Sequence, residues 1–415
     1  MESIQLLLEN AQKASKSIKL LSDEKKKVVL NRLSNKIAES ELAIVTENQK
    51  DLACMPDSDP KKDRLLLTSE RIKELAESVI NISYLQDPTN QILSEKTLDN
   101  GLFIQKKTVS LGVVGIIYES RPNVTIDVVA LCLRSGNVCI LRGGTDAFFT
   151  NTYLVALIQS VLKEFDLDEN AVQLIPTDRK FIAEMLAAVK YIDIIIPRGS
   201  QQLIDYVREN SRVPIIETGA GVCHTYVEKS ADLEKARNIV VNAKVSRPSV
   251  CNALDTVIID RFIAESFIEL LIPDLKFYKI EVFADKEAYD IFKKNEYPFL
   301  IQAQPEDFGR EFLDFKCSVK IVENVDEALE HIHKFSSKHS EAIVSEDKNL
   351  CARFMNEVDA AAVFTNASTR FTDGGVFGLG AEIGISTQKL HARGPFALEK
   401  LVTEKWFVQG DGQVR

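Results

Sequence analysis

The sequence predicts a soluble α/β protein with parallel sheets, and three observations lead to this class. Short apolar runs alternate with helical stretches between residues 124 and 217, as in βαβ units. A second segment of the same kind runs from about residue 229 to 386. The composition, with 45% hydrophobic and 27% charged residues, is that of an ordinary globular chain. The length of 415 residues predicts two or three domains.

The N-terminal part is predicted to be helical. Apolar residues recur there at three- and four-residue spacing between residues 2 and 86, while Lys and Glu fill the other faces. A hairpin is predicted at 94–110, because Asp99-Asn100-Gly101 is a turn sequence and an apolar run follows it. A mostly apolar strand is predicted next, at 111–118.

The remaining strands are predicted from short apolar runs rich in β-branched residues. In the first α/β segment they are 138–141, 172–175, 191–196 and 213–216, with a helix at 151–165. In the second segment they are 256–259, 280–283, 319–322 and 361–365. The tail at 400–409 is predicted to be a last extended run.

Charge and cysteine usage exclude several classes of protein. The 51 Lys and Arg residues against 61 Asp and Glu residues give a net charge of −10, which argues against nucleic acid as a partner and leaves small anions. Seven cysteines lie far apart without a CxxC pair, which is typical of the reducing cytoplasm. No apolar stretch approaches the roughly 18 residues that span a bilayer, so no membrane partner is expected.

Two strand ends carry an arginine followed by glycine. One predicted strand leads into Arg142-Gly143-Gly144, and another leads into Arg198-Gly199-Ser200. Backbone amides at such a strand-to-helix turn bind phosphate, and a neighbouring arginine adds a bidentate contact. A tight turn with solvated arginines explains the same residues equally well, and the spacing alone leaves both interpretations open.

Cys251 is the candidate nucleophile. It follows a loop that contains Pro248, and Arg247 and Lys244 are expected to supply the positive potential that favours a thiolate. The alternative, a buried and inert cysteine, is the more frequent state of an isolated cytosolic cysteine.

The sequence gives less support to a metal site or a serine hydrolase. The five histidines have no Cys or carboxylate cluster beside them at ligand spacing, so no metal site is predicted, and no GxSxG elbow indicates a serine hydrolase. The segment 365–394 contains six glycines and Arg370, a natural anion anchor. Its alternative interpretation is a structural loop or an oligomer contact, in which Arg370 neutralises Asp373 or Glu382.

Taken together, the motifs resemble those of the gamma-glutamyl phosphate reductase family, also called glutamate-5-semialdehyde dehydrogenases, a branch of the aldehyde dehydrogenase superfamily. The resemblance covers about residues 24 to 410. It rests on LGVVGIIYESRPNVTIDVVALCLRSGN (111–137), LRGG (141–144), PRGS (197–200), ETGAGVCHTYVE (217–228), NAKVSRPSVCNALDT (242–256) and the segment 365–394.

The resemblance implies an aldehyde dehydrogenase-like α/β fold. A Rossmann-like NADPH-binding domain would comprise 1–93 and 111–228, a catalytic domain 229–386, and a small oligomerisation element 94–110 and 387–415. It also implies a cytoplasmic homo-oligomer, dimer or tetramer. The implied reaction is the NADPH-dependent reduction of L-glutamyl 5-phosphate to L-glutamate 5-semialdehyde and phosphate through a cysteine thioester, the second step of proline biosynthesis from glutamate.

The resemblance also implies roles for single residues. Cys251 matches the family nucleophile, and Asn123 is the candidate oxyanion donor. The residues implied to bind the cofactor are Arg142, Gly143, Gly144, Arg198, Gly199, Ser200 and Glu311. Arg121 is assigned to the leaving phosphate because it lies beside Asn123, and Arg370 is assigned to the α-carboxylate of the glutamyl group.

Two departures and two alternatives accompany this assignment. Ser246 and Ser249 stand where the family often has Gln and Gly before the cysteine, and the role of Glu217, a hydrolytic base in relatives, is left undecided. One alternative is a non-catalytic oligomeric scaffold with the same fold. The other is an aldehyde dehydrogenase that oxidises a different small aldehyde.

Overall fold

The computed structural model of the chain describes residues 3–56 and 62–415. These residues form two compact units. The first unit comprises Met1–Thr218, Gly378–Gly384 and Pro395–Arg415, and the second comprises Gly219–Phe377 and Ile385–Gly394. The prediction of an α/β protein with parallel sheets is confirmed in both units.

The first unit begins with helices, as predicted for 2–86; residues 2 and 57–61 lie outside the described residues. Ser22 begins the second helix by accepting a hydrogen bond from the Lys25 backbone, and Asp23 and Glu24 favour its positive end. The helices of the described residues in this region are α1 (Gln5–Ile18), α2 (Asp23–Glu39), α3 (Glu41–Ala53), α4 (Lys62–Leu65) and α5 (Ser69–Tyr84).

The predicted hairpin follows the helices and is confirmed. Strands β1 (Ile92–Thr97) and β2 (Phe103–Ser110) pair antiparallel, with Thr97 opposite Phe103. Gly101 in the turn has a φ of +86°, a backbone conformation that glycine adopts without strain.

A parallel sheet of four strands forms the centre of the first unit. Its spatial order is β5-β4-β3-β6, and β3 and β4 are buried throughout. The elements in chain order are β3 (Val113–Tyr118), α6 (Pro122–Arg134), β4 (Val138–Arg142), α7 (Phe148–Glu164), β5 (Val172–Leu174), α8 (Arg179–Leu186), β6 (Ile194–Arg198) and α9 (Gln201–Asn210). Because all four strands run the same way, their carboxyl ends share one edge of the sheet.

The predicted strand at 213–216 is wrong. The structure has only an isolated bridge there, between Ile195 and Ile215. Pro214 has no N–H to donate, so its carbonyl accepts from Ile195 but the ladder does not extend.

The second unit contains a parallel sheet of seven strands in the order β10-β9-β11-β8-β7-β12-β13. Its core contains Phe267 and Phe292 packed beside Val257 and Ile259. The elements are β7 (Cys223–Val227), α10 (Leu233–Val245), β8 (Leu254–Asp260), α11 (Ala264–Phe277), β9 (Glu281–Ala284), α12 (Lys286–Lys294), β10 (Leu300–Gln302), β11 (Lys316–Val322), α13 (Val325–Phe335), β12 (Ser340–Val344), α14 (Lys348–Glu357) and β13 (Ala362–Thr365).

The packing boundary differs from the boundary drawn at residue 228 from the sequence. Strand β7 pairs with β8 and β12, so it belongs to the sheet of the second unit, and the division falls after Thr218. The four strands predicted between 256 and 365 are present as β8, β9, β11 and β13.

The C-terminal region contributes three more strands, β14 (Gly384–Ser386), β15 (Gly394–Phe396) and β16 (Val402–Gln409). The first two form a small sheet of their own. Strand β16 pairs antiparallel with β2 from Val402 opposite Ser110 to Gln409 opposite Phe103, which confirms the predicted extended tail. The result is a three-stranded sheet, β1-β2-β16, within the first unit.

Candidate functional site

Cys251 lies in the loop between α10 and β8 of the second unit, and it is half-buried. The backbone of Gly221 packs directly against it. A Cβ atom built on Gly221 would lie 1.6 Å from the Cys251 carbonyl oxygen, so only glycine fits at this position. Within the part of the chain that the structure describes, Cys54 is exposed and the other five cysteines are buried.

The neighbouring Cys223 has the opposite character. It is fully buried, and its Sγ donates a hydrogen bond of 3.2 Å to the Cys251 carbonyl oxygen. Burial, with Glu341 and Asp255 nearby, raises the pKa of the Cys223 thiol well above its usual value. Cys223 therefore stays protonated and supports the backbone of the nucleophile loop.

Lys244, expected to supply positive potential near Cys251, contacts backbone carbonyl oxygens and a buried carboxyl group. Its ammonium group is buried and donates to the carbonyl oxygens of Asp314 (3.2 Å) and Lys316 (2.8 Å). Its charge also lies 3.9 Å from the carboxylate of Asp255, where burial outweighs it and raises the Asp255 pKa to about 7. Lys244 thus donates hydrogen bonds to the backbone at the start of β11 and places a positive charge near a buried carboxyl group.

Arg370 is bound to both sides of the nucleophile loop. Its Nε donates to Ser246 Oγ at 3.1 Å, and its Nη1 donates to the side-chain oxygen of Asn252. The Asn252 amide donates in turn to the Thr372 carbonyl oxygen at 2.9 Å. Sequence reasoning selected Cys251 and Arg370 but not Asn252, whose partners lie about 120 residues further along the chain.

Glu311 also belongs to the second unit. Its Oε1 accepts a hydrogen bond of 2.9 Å from the backbone N–H of Gly221, the residue that packs against Cys251. The structure therefore brings Glu311, Cys251 and Arg370 together around one loop.

In the first unit, Arg142 and Arg198 end the strands β4 and β6 at the shared carboxyl edge of the sheet. Arg142 is only 9% exposed, and its Nη2 donates to the Thr177 carbonyl oxygen at 2.7 Å. Burial lowers the pKa of the Arg142 guanidinium from its usual value. Among the described residues, the Nε atoms of both arginines are buried without a hydrogen-bond partner, so an anion at this edge would satisfy them.

The start of α9 is occupied by a carboxylate. The backbone N–H of Ser200 donates to Oε2 of Glu119 at 2.9 Å, and a Cβ on Gly199 would lie 2.6 Å from the same oxygen. The positive end of the helix favours an anion there, and Glu119 supplies one from within the chain. Sequence reasoning missed Glu119, although its position directly after β3 is a signal for this edge.

Gly143 and Gly144 face protein side chains. A Cβ on Gly143 would meet Asn151, and a Cβ on Gly144 would meet Asp146. The turn after β4 is therefore tightly packed, as the structural interpretation of these glycines expected.

Arg121 and Asn123 lie at the start of α6 in the first unit. The Asn123 side-chain amide donates to Asp127 at 3.4 Å, and Ser78 donates to the same residue at 3.0 Å. Burial raises the pKa of Asp127 to about 6. Glu217, also in the first unit, accepts from Arg208 at 3.4 Å.

Among the residues that the structure describes, no group of three or more His, Cys, Asp or Glu side chains converges as a metal site would require. Within the same ranges, 3–56 and 62–415, no helix is long and apolar enough to cross a membrane.

The fold and the cysteine loop define a class of protein. Residues 1–290 match the aldehyde dehydrogenase family, whose members are oxidoreductases with this α/β architecture. The acetylating aldehyde dehydrogenase of Geobacillus thermoglucosidasius, at 15% identity, covers 99% of this chain and 97% of its own with a TM-score of 0.72, which supports the fold.

Relatives of higher sequence identity identify the branch of this family. The chain is 51% identical over 407 residues to the gamma-glutamyl phosphate reductase of Legionella pneumophila (strain Paris), covering 98% of this chain and 97% of that protein. The crystal structure of the Thermotoga maritima gamma-glutamyl phosphate reductase is 39% identical and covers 100% of both chains with a TM-score of 0.94. The chain belongs to the gamma-glutamyl phosphate reductases, a branch of the aldehyde dehydrogenase family.

Proposed function

We propose that this protein reduces L-glutamyl 5-phosphate to L-glutamate 5-semialdehyde and phosphate with NADPH, as the second step of proline biosynthesis from glutamate. The observation that carries the proposal is near-full-length similarity, at 51% identity, to a relative named for this reaction. The half-buried Cys251 on its proline-bearing loop supplies the nucleophile that the reaction needs.

The first chemical step is attack of the Cys251 thiolate on the acyl carbon of the substrate. A carbon–sulfur bond forms and the carbonyl oxygen becomes an oxyanion, for which Asn123 and the Cys251 backbone N–H are the proposed donors. Collapse of this oxyanion breaks the bond to phosphate and leaves a thioester. NADPH, when bound, supplies the hydride that reduces the thioester carbon. Departure of the Cys251 sulfur from the reduced carbon then releases the aldehyde.

The cofactor residues are proposed from the first unit, with Glu311 from the second. The buried Nε atoms of Arg142 and Arg198 and the N-terminus of α9 at Ser200 fit a ligand that carries phosphate groups. Gly143, Gly144 and Gly199 are also proposed to bind the cofactor, at turns where a side chain would not fit. Glu311 is proposed to accept from ribose hydroxyls. The Glu119 carboxylate occupies the helix N-terminus and must yield that position to a phosphate.

The domain roles follow as proposals. Residues 1–93 and 111–228 are proposed to bind NADPH, 229–386 to carry catalysis, and 94–110 with 387–415 to join subunits of a cytoplasmic dimer or tetramer. The three-stranded sheet carries exposed apolar side chains, among them Trp406, which is 58% exposed, and Val408, which is 57% exposed. These side chains support the proposed role in joining subunits.

The proposed function is tested in the reverse direction, with glutamate semialdehyde, NADP⁺ and phosphate. We expect NADPH formation that requires phosphate, because phosphate must cleave the thioester. Rapid NADP⁺ reduction without phosphate would identify an oxidising aldehyde dehydrogenase instead. No reduction under either condition would support a non-catalytic scaffold.

The two proposed substrate arginines are distinguished by one pair of substitutions. A guanidinium grips a carboxylate or phosphate with two parallel hydrogen bonds, and lysine cannot reproduce this geometry. We expect Arg370→Lys to raise the KM for glutamate semialdehyde far more than that for phosphate, and Arg121→Lys to do the reverse. If both variants weaken phosphate alone, Arg370 does not bind the α-carboxylate.

A further inference from the structure

Asn252, the residue directly after the nucleophile, uses both its side chain and its backbone to hold the segment 369–372. It is 4% exposed. Its amide nitrogen donates to the carbonyl oxygens of Thr372 (2.9 Å) and Arg370 (3.3 Å), and its amide oxygen accepts from the Arg370 guanidinium. The Thr369 hydroxyl donates to the Asn252 backbone carbonyl at 2.8 Å. Such a buried side chain with all its polar atoms satisfied has one orientation.

This arrangement fixes a guanidinium that would otherwise be mobile. A long arginine side chain loses much conformational freedom when it is ordered. Here the ordering is already complete, because Asn252 holds Nη1 of Arg370 and Ser246 holds its Nε. These two partners flank Cys251 in the sequence, so the guanidinium is tied to the nucleophile loop at both ends.

The position of this charge matters for the cysteine. Arg370 interacts electrostatically with Cys251, and a cation close to a thiol favours the thiolate. Burial, together with repulsion by Arg247, lowers the pKa of the Arg370 guanidinium. A guanidinium repelled by a neighbouring cation would swing away unless it were held, and Asn252 provides the restraint.

We propose that Asn252 is a positioning residue, which holds the Arg370 guanidinium beside Cys251 so that the free enzyme keeps its nucleophile as a thiolate. The inference rests on the proposed function only in taking Cys251 as the nucleophile. When substrate binds, the same charge is presented to the anionic substrate.

Other titratable groups surround this cluster and set the background against which the effect is measured. They are Arg247, Asp373, Cys223, Glu341, Asp255, Glu311, Lys244 and His339. Burial, with Glu341 and Asp255, raises the pKa of the Cys223 thiol, and burial, with Glu311, raises the pKa of Asp255. The positive charge of Arg370, by contrast, favours the thiolate of Cys251.

The test measures the rate at which iodoacetamide alkylates Cys251 in the full-length protein between pH 5 and 10, with the labelled residue assigned by mass spectrometry. No substrate is present, so failure of the reverse assay would not affect the result. We expect Asn252→Ala to move the midpoint of the alkylation profile up by about one pH unit and to slow alkylation at pH 7 by roughly tenfold. Arg370→Met should produce the same shift, and the double variant should add little to either single change.

Thr369→Val is the matched control. It removes a hydrogen bond to Asn252 from the same segment but leaves the link between Asn252 and Arg370, so its midpoint should stay at the wild-type value. Arg370→Met removes the charge without changing Asn252, and it decides the question if Asn252→Ala does not fold. A wild-type profile in Arg370→Met, or an Asn252→Ala shift that persists undiminished in the Arg370→Met background, would overturn the proposal.

Discussion

At the scale of single residues, two cysteines joined by one hydrogen bond have opposite environments. Cys223 is fully buried beside carboxylates, and the raised pKa of its thiol keeps it a hydrogen-bond donor. Cys251 accepts that bond through its carbonyl oxygen and remains half-buried, open to a reagent. The candidate nucleophile Cys251 thus differs from the neighbouring Cys223 in how deeply its side chain is buried.

The first prediction concerns this difference. Cys251→Ser should abolish turnover while the fold and NADPH binding are retained, because a hydroxyl without a strong base is a much weaker nucleophile than a thiolate. Cys317→Ala, a change at a buried cysteine elsewhere in the same unit, is the control and should keep the chemistry. Turnover and NADPH fluorescence titration measure the two properties. Loss of activity that followed alkylation of Cys223 or Cys317 would contradict the assignment.

A second residue-scale prediction follows from Asp127. Its pKa of about 6 lies above the usual value of 3.8, so the folded state binds this proton more tightly than the unfolded state does. The contribution of Asp127 to stability is thus fully present below about pH 4 and is lost as the pH rises through 6. Asp127→Asn should remove this loss, which between pH 4 and pH 7 is worth about 2 kcal/mol.

Urea unfolding at pH 4 and pH 7 measures the effect. Between pH 4 and pH 7, the free energy of unfolding of the variant should rise by about 2 kcal/mol relative to that of the wild type. Glu77→Gln, at an exposed carboxylate beside Ser78 on the same helix, is the control and should show no such gain. Parallel pH profiles of Asp127→Asn and the wild type would show that the proton is not taken up at Asp127.

The sequence predicted some of these residues and not others, for a physical reason. Cys251 and Arg370 stand in local motifs that can be recognised without a fold. Asn252 and Glu119 are defined by hydrogen bonds to residues 120 and 81 positions away, to Thr372 and Ser200. No local pattern contains that information.

At the scale of elements, two of the strands that escaped prediction contain charged and polar residues inside a buried sheet. Strands β7 and β12 are fully buried, and His224 lies opposite Glu341 in their parallel register. The His224 ring nitrogen and backbone N–H both lie within hydrogen-bond distance of one Glu341 oxygen, at 3.0 and 2.8 Å. The bonds between His224 and Glu341 form across the two strands, so neither run looks like a core strand in the sequence alone.

The helix α9 carries the next prediction, since its N-terminus is proposed to receive a phosphate and now holds the Glu119 carboxylate. Glu119→Gln removes a competing negative charge at the positive helix end, which is worth about 1 kcal/mol. The dissociation constant for NADPH should therefore fall roughly fivefold at low ionic strength.

Fluorescence titration with NADPH measures this change. Asp205→Asn removes the same charge further along α9, where Asp205 pairs with Arg208, and should leave the affinity unchanged. Weaker NADPH binding by Glu119→Gln would mean that Glu119 is a ligand of the cofactor rather than a competitor for its site.

At the scale of the whole molecule, segments that pack together in one unit are far apart in the sequence. The first unit is assembled from the N-terminal half and from two C-terminal segments, so the last strand joins a sheet that began about 300 residues earlier. The alternation of strands and helices predicted both α/β units, but their boundary depended on which sheet accepts β7. Strand pairing over such distances decides the domain limits, and composition does not report it.

The last prediction concerns assembly, which we propose to depend on the three-stranded sheet. Strands β1 and β16 form its two edges, β1 is exposed along its whole length, and Trp406 lies 58% exposed on β16. Such edges favour pairing with another subunit. Truncation after Lys400 removes β16, and we expect sedimentation velocity to show a shift from the oligomer towards the monomer. Truncation after Gly410 keeps β16 and should leave the oligomer intact. An unchanged mass distribution after the longer truncation would show that subunits join elsewhere.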